Sequence, residues 1–301
     1  MQNEAIILFL EENYGLDVNN IRRFESGVLN DNYLVATGKN KYIFRVYNFK
    51  NEEQVKFEAE ILEFLQRKGF PSPKLLANRE NKIISVFNDK PCVVYEFIEG
   101  RPIETVSSEL MGQIGEAMAK MHNLLKDFKP SVKKSTWEPE ELRKLVAESK
   151  NEMLNSGFPR VKELMDFVET ELAKYNFSDE LPKGITHQDI KPENIIIKDG
   201  KIAGIVDFDN SYFGAFLHDI TTTIIWTCFE NNELNKNLLD ALLDGYEKER
   251  KLTALEKEYL SNGIKFRLVR EVFIGPFVTM HLPELSRKRA DYFIELYKRM
   301  E

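Results

Sequence analysis

The pair Asp199-Gly200, set between two β-branched runs, constrains this chain more than any other feature. Ile195–Ile197 precedes it and Ile202–Val206 follows it. An Asp-Gly pair so flanked specifies a two-residue hairpin, because a type I′ turn needs positive φ at both central residues. Folding the runs about that turn sets Lys198 against Lys201 and Asn194 opposite Ile205. Asp207 then lies one rung further, at about 5 Å per cross-strand pair. The hairpin therefore gathers a carboxylate and an amide oxygen that are distant in sequence. Hard oxygen donors of this kind suit Mg2+, which keeps waters and phosphate oxygens for the rest of its shell.

Length and composition narrow the class. A chain of 301 residues can bury a sizeable core, and its length suggests about two domains. With 43% apolar, 30% charged and 11% aromatic residues it reads as globular, neither disordered nor fibrous. No apolar run approaches the ~20 residues that span a bilayer, and the N-terminal run carries Glu4, Glu11 and Glu12 where a signal peptide is basic. The expectation is no membrane partner and a cytoplasmic location. Cys92 and Cys228 have neither metal nor redox spacing and read as small core residues of a reducing compartment. A net charge of −7 speaks against nucleic acid as a partner.

Taken in order, the chain opens with an amphipathic helix over Ala5–Glu12. Alternation then predicts strands at Ile21–Glu25, Asn32–Ala36 and Tyr42–Val46. Helical spacing over Asn51–Lys68 ends at Gly69, and Pro71 and Pro73 break the chain. A second hairpin is expected from Lys82–Phe87 and Cys92–Ile98. Glu99-Gly100-Arg101-Pro102 reads as a linker. The expected domains are residues 1–98, with an antiparallel sheet and one helix, and residues 99–301, helical apart from the central hairpin. Predicted helices there are Ser108–Leu125, Pro139–Leu154, Arg160–Tyr175, Asp219–Phe229, Leu234–Lys251, Thr253–Phe273 and Pro283–Met300. Thr253 and Glu256 make a capping box. His122 reads as a packing histidine, and Asp219 as a helix cap or a brace for the loop before the hairpin.

That loop runs His187-Gln188-Asp189-Ile190-Lys191-Pro192-Glu193-Asn194. His-x-Asp-x-x-x-x-Asn, then strand, turn, strand and Asp207-Phe208, is the residue constellation of phosphoryl transfer. It is similar to that of eukaryotic-type protein kinases and of the aminoglycoside phosphotransferase and choline kinase superfamily. Asp207 lacks the glycine of Asp-Phe-Gly, no Ala-Pro-Glu follows, and Asp219 comes too soon for a long activation loop. The chain therefore resembles the small-molecule superfamily, with a protein-kinase-like fold. Gly27–Tyr33, Gly69–Pro73, Gly184–His187, Gly245–Thr253 and Phe266-Arg267 most resemble type II homoserine kinases.

The resemblance implies an α+β, bilobal architecture: a small antiparallel β N-lobe with one helix, and a larger helical C-lobe carrying the catalytic hairpin. ATP would lie between the lobes. Ser26 and Gly27 would cover its phosphates, Arg45 paired with Glu58 would hold them, and backbone groups of Glu96 to Ile98 would meet the adenine. Asn194 and Asp207 would hold Mg2+. Asp189 would orient the attacking hydroxyl, and Lys191 would stabilise the transferring group or else remain a solvated loop lysine. Two departures stand out: Lys191 replaces a bulky apolar residue, and Arg45 replaces a lysine. The acceptor expected is an amino-bearing alcohol, homoserine first and an aminoglycoside or choline next. A protein-kinase-like regulator is the remote alternative. Arg267 and Arg270, three apart on one helix face, would take homoserine's carboxylate; Asp209 and Glu230 are candidate carboxylates near the acceptor. The oligomeric state is left open.

Overall fold

A computed structural model describes residues 2–24, 30–132, 134, 136–158, 160–278 and 283–300. Ser26 and Gly27 lie outside the described residues. The chain divides into two units, one formed by Met1–Ile103, Lys129–Lys134 and Glu193–Asp209, the other by Glu104–Phe128, Ser135–Pro192 and Asn210–Glu301.

The first unit is a sheet with helices. Helix α1 (Gln2–Tyr14) leads into β1 (Val18–Arg23), β2 (Asn30–Thr37) and β3 (Lys41–Tyr47). Helix α2 (Glu52–Arg67) follows, then β4 (Leu75–Leu76), β5 (Ser85–Phe87), β6 (Lys90–Glu96) and β7 (Arg101–Pro102). The sheet order is β1-β2-β3-β6-β4 with β5 on β6, every pair antiparallel. Alternation does the sorting: Tyr33, Val35, Phe44 and Val46 turn inward and pack with Ile6 and Leu10 of α1. Helix α2 starts at a full capping box, Asn51 with Gln54, a device that contributes about 1 kcal/mol. Strand β5 starts later than expected because Lys82 is held in a turn, its carbonyl accepting from Asn78 N–H and its N–H donating to Asn78 Oδ1, while Asn88 and Asp89, both at positive φ, turn the end of β5 into β6. Strands β9 (Ile195–Lys198) and β10 (Lys201–Ile205) form the central hairpin, and β9 also pairs with β7. Gly100, at φ +144°, permits that last pairing: a Cβ there would stand 2.6 Å from Ile197 O.

The second unit is mainly helical: α3 (Ser108–Leu125), α4 (Pro139–Asn155), α5 (Val161–Leu172), α6 (Leu217–Thr227), α7 (Lys236–Glu249), α8 (Ala254–Val278) and α9 (Pro283–Arg299). Helices α3 and α7 meet at glycines, since a Cβ on Gly115 would lie 2.1 Å from Leu242 O and one on Gly245 2.1 Å from Gly112 O. Helix α8 is buried on nearly every side from Gly263 to Phe273 and packs against α5, α6 and α9. One expectation needs correction: the region past Pro102 is not wholly helical beyond the hairpin. It holds β8 (Lys183–Thr186), paired with β11 (Tyr212–Ala215), and a two-residue pair, β12 (Phe229–Glu230) with β13 (Glu233–Leu234). Runs of four residues are too short for period-two alternation to be legible. Among the described residues no helix is long and apolar enough to cross a membrane.

Candidate active site

Asp199 (φ +51°) and Gly200 (φ +75°) both take the left-handed conformation that the turn requires. Lys201 pairs with Lys198 and Ile202 with Ile197, but the register then shifts, so that Gly204 pairs with Ile196 and Ile205 with Ile195. The expected pairing of Asn194 with Ile205 is therefore off by one residue. A bulge inserts the extra residue beside a glycine whose missing side chain leaves room for Ile98, 2.6 Å from where a Cβ would stand. In consequence the Asn194 carbonyl accepts from Val206 N–H at 2.9 Å, and Asp207 is the next residue. Asp207 holds φ +71°, a conformation that costs an L-residue about 1–2 kcal/mol. The tertiary frame imposes the direction of this carboxylate.

Arg45 on β3 stands in register with Asn32 on β2 and Val93 on β6. Its Nε donates to Asn32 Oδ1 (2.8 Å) and its Nη1 to Asp207 Oδ1 (2.9 Å), with Glu58 Oε1 3.7 Å away. Glu58 is buried on α2 and accepts from the hydroxyls of Tyr47 (3.1 Å) and Tyr95 (3.2 Å). Burial works against the Arg45 charge, yet Asp207, with Tyr95, Tyr47 and Glu58, holds its pKa well above the ordinary value. Arg45 is a fixed cation with a fork set by three neighbours. The sequence suggested the Glu58 contact; the Asn32 contact could have been found from the β2–β3 register alone.

Beside these residues the first unit holds a cavity of about 350 Å³, within the range of ligand sites. Ile43, Tyr95, Phe97 and Ile98 line its apolar part, and Arg45 and Asp207 its charged end. Glu96 also lines it. The amides of Glu96 and Phe97 are spent on Lys74 O (2.8 Å) and Lys41 O (3.0 Å). Ile98 N–H, one residue further, donates to no backbone carbonyl among the described residues.

Asp209, expected near an acceptor, is instead enclosed in this unit. It accepts from Asn30 Nδ2 (3.0 Å), and Lys50 Nζ lies 3.4 Å from its carboxylate. Although burial opposes it, Lys50, Arg45 and Lys134 hold the Asp209 pKa below the usual range. Burial, then Lys50, pushes Lys134 down to about 8. Neither lysine carries a sequence signal. Glu230 is exposed and accepts from Asn235 Nδ2 at 2.6 Å.

In the second unit, Asp219 braces the loop of Asp189. Its Oδ2 accepts from His187 N–H (2.8 Å) and its Oδ1 from Gln188 N–H (2.6 Å). The buried His122 ring reaches the same Oδ2 at 2.9 Å through Nε2, and Nδ1 lies 2.7 Å from the Tyr246 hydroxyl. That network assigns the proton to Nε2 and the Tyr246 O–H as donor to Nδ1. Burial lowers the His122 pKa, and Asp219 stays ionised despite its own burial because His122 stabilises the carboxylate. His187 Nδ1 accepts from Asp189 N–H at 3.2 Å, so His187 holds the loop together. Asp189 keeps its side chain 12% exposed, with Lys191 Nζ 3.0 Å from Oδ2 and lying over the ring of Trp226.

Arg267 and Arg270 are both only 3% exposed. Gln188 Oε1 accepts from Arg270 Nη1 (2.6 Å) and Arg267 Nη1 (3.3 Å), and Gln188 O from Arg267 Nη2 (3.1 Å). These arginines hold Gln188, at φ +69°, in place next to Asp189.

An antiparallel N-terminal sheet, a helical C-terminal part and this set of site residues define a kinase-like fold. Residues 20–252 match the phosphotransferase enzyme family, and the chain belongs to it. It is 25% identical over 265 residues to a homoserine kinase of Neisseria meningitidis serogroup B, covering 86% of this chain and 83% of that protein. Among solved structures it is similar to amicoumacin kinase in complex with AMP-PNP, Ca2+ and its ligand, with TM-score 0.79, 18% identity, and 99% of this chain and 94% of that one covered. It is also similar to a microcompartment-associated aminopropanol kinase, with TM-score 0.72, 16% identity, and 99% and 96% covered. The protein is a phosphotransferase that acts on an alcohol group, a small-molecule kinase.

Proposed function

We propose that the chain transfers the γ-phosphoryl group of ATP to the hydroxyl of a small amino-bearing metabolite, L-homoserine first. The observation that carries the nucleotide half is the hairpin end: Asn194 bonded to Val206, Asp207 held at φ +71°, and Arg45 on its carboxylate. One amide and one carboxylate oxygen make an incomplete shell, which fits a Mg2+ that arrives with substrate phosphates. Among the described residues no cluster of three or more His, Cys, Asp or Glu side chains could hold a metal alone. Asn194 and Asp207 would hold the ion, which supplies neutralisation of phosphate charge.

The remaining chemistry belongs to the chain's own side chains. Arg45 binds phosphate oxygens from a position set by Asn32 and Glu58. The cavity lined by Ile43, Phe97 and Ile98 takes the base, with Ile98 N–H as donor and the Glu96 carbonyl as acceptor. Asp189 orients the acceptor hydroxyl and takes its proton late, since a loose transition state needs little deprotonation. Lys191, 3.0 Å from Asp189, carries positive charge to the transferring group. Positioning and electrostatics supply most of the rate.

The similarity to homoserine kinases over most of the chain supports the choice of homoserine. The test is ATP turnover with L-homoserine, choline and kanamycin side by side, with the product identified by phosphorus NMR. Homoserine phosphorylated on oxygen is expected. Kanamycin or choline phosphorylated in its place would overturn the acceptor and leave the kinase assignment standing.

A further inference from the structure

Around Glu271 on α8 the charges do not balance. Its carboxylate is buried, and its pKa is held down against that burial by four cations, Arg267, Arg289, Arg270 and Lys191. Arg267 Nη2 lies 2.9 Å from it and Arg289 Nη2 3.5 Å. Asp189, beside Lys191, contributes a second carboxylate. Among the described residues four cations thus face three carboxylates, the third being Glu138, which acts on Arg270. Burial, with the neighbouring Arg267, already pushes Arg270 down to about 10. The Nε groups of Arg267, Arg270 and Arg289, and Nε1 of Trp226, are buried donors without hydrogen-bond partners. Native structures leave few such donors unmet, so among the described residues this cluster holds more cation than it has anion to meet it.

The four cations are not equivalent. Arg267 and Arg270 are closed off and spent on Gln188. Lys191 and Arg289 are 21% and 35% exposed and share one indole, lying 5.5 and 4.7 Å from the ring centroid of Trp226. The electron-rich ring face holds both cations in place. A four-carbon hydroxy amino acid measures about 5 Å from hydroxyl oxygen to carboxylate carbon at ordinary bond lengths. An acceptor whose hydroxyl is held at Asp189, beside Lys191, therefore needs a second, separate cation for its carboxylate.

We propose that Arg289, which shares the Trp226 indole with Lys191, receives the carboxylate of the acceptor, so that the substrate class is a hydroxylated amino acid rather than a cationic amino alcohol or polyamine. This rests on the reading of Asp189 as the residue that orients the acceptor hydroxyl. It moves the carboxylate site from the Arg267–Arg270 pair to α9. A purely cationic acceptor meets repulsion at the same place.

The experiment compares L-homoserine with 3-aminopropan-1-ol, the same skeleton without its carboxylate, in wild type, Arg289→Gln and Arg289→Lys. Wild type should prefer homoserine in kcat/KM. Arg289→Gln should cut that preference about 10–100-fold, the scale of one charged hydrogen-bonded contact, mainly through KM. Arg289→Lys should restore part of it. Nucleotide binding by calorimetry reports whether each variant is folded, and Arg289→Met serves as a second neutral replacement should Arg289→Gln fail that check. An unchanged preference in the neutral variants, or equal losses on both acceptors, overturns the proposal. Wild type that phosphorylates both acceptors equally overturns it while leaving the kinase reading intact. Wild type that phosphorylates neither overturns both.

Discussion

Arg45 Nη1 lies 2.9 Å from Asp207 Oδ1, although the two residues are 162 positions apart in the chain. The contact joins strand β3 to the end of the β9–β10 hairpin within one unit. Arg45 also bonds Asn32 in the opposite register position, so its planar fork is fully directed. A lysine, being a point charge on a flexible stem, cannot hold both partners in that geometry.

Arg45→Lys should therefore raise the KM for ATP by about 10-fold, the scale of one charge-assisted hydrogen bond. Arg45→Ala should do so more strongly and also lower Tm, because Glu58 keeps its two tyrosine hydroxyls but loses its cation. Initial-rate kinetics with a melting curve checks both. An Arg45→Lys enzyme with unaltered KM would show that the fork geometry is dispensable.

Asp189→Asn should lower kcat by at least about 100-fold, the usual effect of removing a positioned acid–base group, while nucleotide affinity holds. The expectation follows from a carboxylate that keeps part of its surface open on a loop otherwise tied down by His187 and Asp219. Turnover close to wild type would refute the catalytic assignment.

Asn194→Ala and Asp207→Ala should each weaken nucleotide binding in Mg2+ buffer and have a smaller effect in EDTA. The reason is the bulged register, which sets Asn194 against Val206 and thereby next to Asp207. Calorimetry in the two buffers is the measurement. Equal losses with and without Mg2+ in both variants would mean that these side chains do not share an ion.

Stability should fall as pH drops below about 6.5, the ordinary histidine value, because burial depresses the His122 pKa in the folded state. The unfolded chain then binds more protons than the native one, so stability present above that pH is lost as pH falls toward the folded pKa. His122→Gln should lower Tm at neutral pH yet flatten its pH dependence in this window. The same slope in the variant would assign the effect to another group.

Asp219→Asn should affect both folding and turnover. It keeps the side chain's size but replaces one oxygen that accepts from His187 N–H or Gln188 N–H, both buried, at a cost of about 1–3 kcal/mol. Denaturant titration should show that loss, and kcat should fall with KM for ATP nearly unchanged. A stable variant with full kcat would remove Asp219 from the loop's support.

What the sequence determined by itself was local. Asp199-Gly200 demanded a turn that only positive φ satisfies, and it formed between the two β-branched runs as expected. Thr253 with Glu256 formed the box before α8, and alternation picked out the buried faces of β2 and β3. The loop from His187 to Asn194 was legible because its residue types and spacing are chemistry as well as structure. Only the tertiary structure decided the register, the partners and the accessibility. The bulge beside Gly204 packs against Ile98, which arrives from another part of the chain. Arg267 and Arg270 looked like a free cationic pair by helical spacing, but packing turned both onto Gln188. Asp209 looked like an acceptor carboxylate until Lys50 and Asn30 closed on it. Periodicity reports which face of an element is buried; it carries no information about which distant side chain will meet it there, because that depends on pairwise geometry set when the whole chain packs.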